Sequence, residues 1–93
     1  NPDDTVRVFL LRNNYVYILY SESAGKFYIG QTNNIQSRLE RHNSGTENAT
    51  RPYRPWILKW YGVKSSRADA MALERKLKNL SKERLNMFIE KYK

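Results

Sequence analysis

Two aromatic, β-branched runs flank a short polar stretch, and they constrain this chain more than any other feature. Tyr15-Val16-Tyr17-Ile18-Leu19-Tyr20 and Phe27-Tyr28-Ile29-Gly30 read as paired strands, since residues of these types fit a pleated surface. Ser21 to Lys26 supplies the turn, with Gly25 free to take a positive φ. Alternation in a strand puts Val16, Ile18, Phe27 and Ile29 on one face of the hairpin. Tyr15, Tyr17, Tyr28 and Gly30 take the other face. This register predicts that the phenols of Tyr17 and Tyr28 lie side by side across the pair. Gly30 beside them is expected to leave room for a ligand backbone.

The rest of the chain supplies cover for that hairpin. Residues 1–14 begin polar and turn apolar at Val6, Val8, Phe9, Leu10 and Leu11, which suggests an arm or an extra N-terminal strand. Gln31-Thr32-Asn33-Asn34 has turn and helix-cap composition, and a helix is predicted from Ile35 to Asn43, ended by Gly45. Ile35 and Leu39 form its buried stripe. Arg38 and His42, also one turn apart, share an adjoining face, as they would on a solvated helix surface too. Ser44 to Pro55 reads as a loop without regular structure. Its Arg51, Tyr53 and Arg54 mix guanidinium and aromatic groups, suited to phosphate contact and base stacking. Trp56 to Val63 predicts a third strand, apolar on both faces as if covered on both sides. Ser66 and Asp69 resemble a capping box, followed by the stripe Ala70, Leu73, Leu77 and Leu80. Glu74 borders that stripe, and Lys78 one turn on would make a simple surface ion pair with it. Ser81 caps a last helix with Leu85, Phe88, Ile89 and Tyr92 on its apolar side.

The predicted class is α+β: a three-stranded antiparallel sheet flanked by helices, in the order β-β-α-β-α-α. With 93 residues, a single domain over 15–93 with a 1–14 arm is expected. The formal charge of +8, from 17 basic and 9 acidic residues, favours a polyanionic partner. No cysteine is present, which excludes disulfides and thiolate metal sites. No apolar run is long enough to cross a bilayer and no signal-peptide core is visible, so a cytoplasmic location away from membranes is the expectation. Position 1 is Asn rather than Met, so a trimmed, processed or longer parent chain is expected. P-loop, dinucleotide and Ser-His-Asp patterns are missing.

The hairpin resembles the signature of the GIY-YIG nuclease superfamily. Val16-Tyr17 matches the end of its first tripeptide, with Tyr15 in place of the first glycine, and Tyr28-Ile29-Gly30 is the second tripeptide unaltered. The resemblance runs from residue 15 to about residue 90. It implies a catalytic set of Tyr17, Tyr28, Arg38, His42, Glu74 and Asn86, with Glu74 binding the divalent metal, Mg²⁺ or Mn²⁺. It further implies a metal-dependent endonuclease, a phosphodiester hydrolase of DNA repair, recombination or processing. Where some members carry a lysine after the second tripeptide this chain has Gln31. Relatives often take specificity from an added domain or a partner protein, and oligomeric state is left open.

That chemistry is consistent with the residues. Phosphodiester hydrolysis needs a deprotonated nucleophile, neutralisation of the phosphate and stabilisation of the leaving oxygen. Arg38 offers a bidentate fork, and Mg²⁺ tolerates a single carboxylate because it keeps much of its water. An unperturbed tyrosine is ionised only about one time in a thousand at neutral pH, so a tyrosine base needs a nearby cation. Either Tyr17 or Tyr28 could be that base. Gly30, Arg51, Tyr53, Arg54 and Lys78 are the expected nucleic-acid contacts, to DNA first, with RNA left open. The alternative is a non-catalytic nucleic-acid-binding module on the same fold, and a purely structural role has no sequence feature behind it.

Overall fold

A computed structural model describes residues 13–93. Residues 1–12 of the expected arm lie outside the described residues; Asn13 precedes the first strand and Asn14 already belongs to it. The element order is β1 (Asn14–Ser21), β2 (Lys26–Thr32), α1 (Ile35–Ser44), a 3₁₀ turn (Arg51–Tyr53), β3 (Trp56–Lys64), α2 (Arg67–Lys78) and α3 (Lys82–Tyr92). The sheet is antiparallel in the order β2-β1-β3, so the class is α+β as predicted. The short turn at Arg51–Tyr53 is a departure from the irregular loop expected there; Pro52 fixes φ inside its single turn.

Caps end the helices as the sequence implies. The Asn34 side chain accepts from the Ser37 amide at 3.0 Å, and Gly45 closes α1 at φ 86°. Ser66 and Ser81 accept from the amides of Asp69 and Arg84 at 3.1 and 3.2 Å. In the hairpin turn Gly25 takes φ 63°.

β1 is the central strand, and Val16 to Leu19 are buried without a break. Its two faces feed two cores. Val16 and Ile18 pack with Ile29, Ala70, Leu77, Leu85 and Ile89 beneath α2 and α3. Tyr17 and Leu19 pack with Trp56, Tyr28, Ile35, Leu39 and Leu58 beneath α1 and its following loop. The candidate tyrosines Tyr17 and Tyr28 are therefore side chains of the smaller core.

β3 corrects an expectation. Among the described residues it is an edge strand, with Ile57, Tyr61 and Val63 exposed, and is not covered on both sides. Its apolar character on both faces has another cause. The pairing steps from Ile18–Trp60 to Leu19–Leu58, leaving Lys59 as a bulge. One extra residue reverses the alternation, so Trp60 joins the core under α2 and α3 while Leu58 joins the tyrosine core.

Candidate active site

Register sets the tyrosine geometry, and it differs from the simple hairpin expectation. Tyr17 pairs with Gly30 and Tyr28 with Leu19, so the phenols are diagonal neighbours and not directly opposed. Their ring centroids lie 6.4 Å apart. Gly30 also has a different role from the one expected. A Cβ built there would sit 2.5 Å from the Tyr17 hydroxyl and 2.8 Å from its ring carbon. The space belongs to the Tyr17 ring, which crosses over the glycine, and not to a ligand backbone.

His42 is fully buried, which excludes the solvated helix face. Its Nε2 lies 3.1 Å from the Tyr17 hydroxyl, and its Nδ1 lies 3.0 Å from Thr50 Oγ1. The Tyr28 ring centroid is 4.8 Å from the imidazole. Burial holds His42 below its usual pKa; Glu47 opposes this, and Arg38 and Arg41 add to it. Burial pushes the Tyr17 phenol well above the ordinary tyrosine range, with Tyr28, Glu47 and Glu74 pushing the same way and Arg38 pulling it down. Arg38 and Glu74 thus act on the Tyr17 phenol from two different helices.

Arg38 is only loosely engaged. Its guanidinium is 3.9 Å from Glu47, which the neighbouring Arg41 holds at 3.2 Å. A third of the Arg38 side chain is exposed, at 33%, so its fork remains available to a phosphate. Glu74 is 19% exposed and pairs with Lys78 at 2.9 Å, the surface pair that the spacing allows. It lines a cavity of about 300 Å³ with Gln31, Met71, Arg75, Lys78 and Asn79.

The remaining candidates stand apart from this group. Asn86 is exposed on α3, and no hydrogen bond joins it to the tyrosines or His42 among the described residues. Tyr53 packs at right angles to Trp56, with the Lys26 ammonium 4.1 Å over its ring, so one of its faces is already in use. Arg54 bonds the Arg51 carbonyl at 2.9 Å, and both guanidinium groups are exposed. Thr50, Asn43 and Glu47 went unnoticed in the sequence. Asn43 clamps the Trp56 backbone from both sides, accepting at 2.7 Å and donating at 3.1 Å. This clamp and the His42–Thr50 contact fasten the loop to α1. No local pattern announces either one, because the partners meet only after the loop folds back.

Comparison with known proteins identifies the family of this fold. The family model of the GIY-YIG catalytic domain matches residues 13–87. A UPF0213 protein of Bacillus pumilus is 34% identical over 79 residues, covering 84% of this chain and 80% of its own. UPF0213 protein SH2523 of Staphylococcus haemolyticus is 31% identical over 81 residues, covering 86% and 98% respectively. The solution NMR structure of UPF0213 protein BH0048 from Bacillus halodurans matches with a TM-score of 0.57 at 31% identity, covering 86% of this chain and 85% of that one. The family match spans both tyrosine strands, Arg38, His42 and Glu74, and the chain belongs to the GIY-YIG nuclease family.

Proposed function

We propose that this chain is an endonuclease that hydrolyses nucleic-acid phosphodiester bonds, DNA first, with a divalent cation at Glu74. The observation that carries the proposal is the 3.1 Å contact of the buried Tyr17 phenol with the His42 imidazole, with Arg38 and Glu74 both acting on that phenol.

The residues present fit a hard cation. Glu74 offers a partly exposed carboxylate, and Gln31 and Asn79 on the same cavity carry further oxygen donors. No group of three or more His, Cys, Asp or Glu converges among the described residues. A cation here would therefore keep most of its water, which suits Mg²⁺ and also Mn²⁺. When bound, it supplies neutralisation of charge on the phosphate and the leaving oxygen. Lys78, which pairs with Glu74 in the structure, would then be free to contact a phosphate oxygen. Arg38, a third exposed, would offer its guanidinium fork to the phosphate.

The tyrosine acts as a relay. A free Tyr17 phenolate is disfavoured, since burial pushes its pKa up. The relay avoids that anion. As the attacking water forms its bond to phosphorus, its proton passes to Tyr17 Oη. The phenolic proton passes at the same time to His42 Nε2, and the departing sugar oxygen is protonated from solvent. The low pKa of His42 keeps it neutral and able to accept near neutral pH. Tyr28, the more exposed of the two phenols, is the second reading for the group that meets the water.

Nicking of supercoiled and branched DNA with and without Mg²⁺ tests the proposal. Cutting should require the metal, and Glu74→Ala should lower it by roughly a thousandfold or more, the equivalent of several kcal/mol of charge stabilisation, while DNA binding persists. Full activity in Glu74→Ala would refute the cation assignment. The Glu74–Lys78 ion pair is the observation behind the binding-module reading, because the carboxylate already has a partner. Salt-sensitive DNA binding without cutting under any condition would favour that reading.

A further inference from the structure

Thr50 lies in the loop between α1 and β3, outside every motif in the sequence, yet it is 1% exposed and touches His42. Its surroundings leave it little freedom. The Thr50 carbonyl accepts the Trp56 indole N–H at 2.9 Å, and its amide donates to the Glu47 carbonyl at 3.2 Å. Its hydroxyl also reaches that carbonyl, at 3.5 Å.

Counting protons along the chain of contacts decides the direction of each bond. A neutral imidazole has one donor and one acceptor nitrogen. If Thr50 donated to Nδ1, then Nε2–H would point at Tyr17 Oη. In the resting fold the phenolic hydrogen would then have no protein acceptor, because His42 is the side-chain partner of the Tyr17 hydroxyl among the described residues and Tyr17 is 2% exposed. A buried donor without a partner is costly. In the opposite direction every donor is used. Tyr17 O–H donates to Nε2, Nδ1–H donates to Thr50 Oγ1, and Thr50 O–H donates to the Glu47 carbonyl. The two directions have opposite chemistry, since only the second gives Tyr17 a base.

We infer that Thr50 is a positioning residue whose hydroxyl holds His42 in the Nδ1–H tautomer, so that a bare Nε2 faces the Tyr17 phenol. This deepens the relay reading above and rests on it for its catalytic meaning. A loop hydroxyl thereby fixes which way a proton can move in the sheet core.

The chain has one histidine, so ¹⁵N NMR of the labelled protein reports His42 without assignment. Above its titration, the wild type should show a protonated Nδ1 and an unprotonated Nε2. Thr50→Ser should keep that pattern and the cutting rate. Thr50→Val preserves shape but removes the hydroxyl. It should shift the tautomer towards Nε2–H and lower kcat on the order of tenfold or more, with KM little changed. An Nε2–H tautomer in the wild type overturns the inference, as does a Thr50→Val protein with unchanged tautomer and kcat. If Thr50→Val does not fold, the wild-type and Thr50→Ser spectra still decide. A wild type that cuts nothing would end the nuclease reading, while the spectra would judge Thr50 separately.

Discussion

The two halves of the candidate site are built on different terms. On one side Tyr17, His42 and Thr50 are buried in the smaller core, and each polar side-chain atom has a partner. On the other, Glu74 is part-exposed and its partner Lys78 is 54% exposed. Buried polar groups in fixed geometry are preorganised, whereas exposed ion pairs exchange partners at little cost. On the proposed reading, the acid–base half would be set when the chain folds. The cation and phosphate half would complete itself only when substrate arrives.

The comparison breaks most sharply at Tyr17. Tyr17→Phe keeps the ring and its packing but removes the proton path to His42. Loss of a positioned proton transfer is expected to lower the rate by about a hundredfold or more, with nucleic-acid and cation affinity preserved. Single-turnover nicking set beside a binding titration separates these effects. Equal cutting by the variant would move the role to Tyr28 and dissolve the division between the halves.

A smaller effect is expected from Gly30→Ala, which attacks the same half through packing alone. The new methyl would press on the Tyr17 hydroxyl at 2.5 Å, so the ring or the strand must move. Overpacking of this kind costs about 1–3 kcal/mol. Urea denaturation should show that loss, and the rate should fall with it as the Tyr17–His42 contact lengthens. An unchanged urea midpoint would mean that the ring has room to spare.

The same contrast explains what the sequence made legible. Strand order, helix spans and caps follow from local chemistry, and Asn34, Ser66 and Ser81 cap as their types predict. Tyr17, Tyr28, Arg38, His42 and Glu74 could be named because the tripeptides anchor a spacing along the chain. The wiring could not. The diagonal placement of the tyrosines depends on register, and the reversal of faces in β3 depends on the bulge at Lys59. The burial of His42 depends on a loop that returns to cover it, which turns an apparent surface pair with Arg38 into one core residue and one half-exposed cation.

The smallest expected effect is on stability against pH, and it belongs to the buried half alone. Folding lowers the pKa of His42. The unfolded chain therefore takes up a proton near pH 6.5, where the folded chain does not yet bind one. Stability conferred by the neutral imidazole is complete above that pH. It is lost as pH falls below it, and the loss levels off once the folded chain also binds the proton. The charges facing His42 oppose one another, since Glu47 favours the imidazolium while Arg38 and Arg41 disfavour it. Tyr17 and Tyr28 complete its surroundings. Chemical denaturation at a series of pH values from 7.5 down to 5, on wild type and His42→Gln, isolates the effect because the chain has no other histidine. The variant should be less stable at pH 7.5 and should lose less on acidification than the wild type. Parallel losses in the two proteins would show that His42 titrates in the folded state much as it does in the unfolded chain.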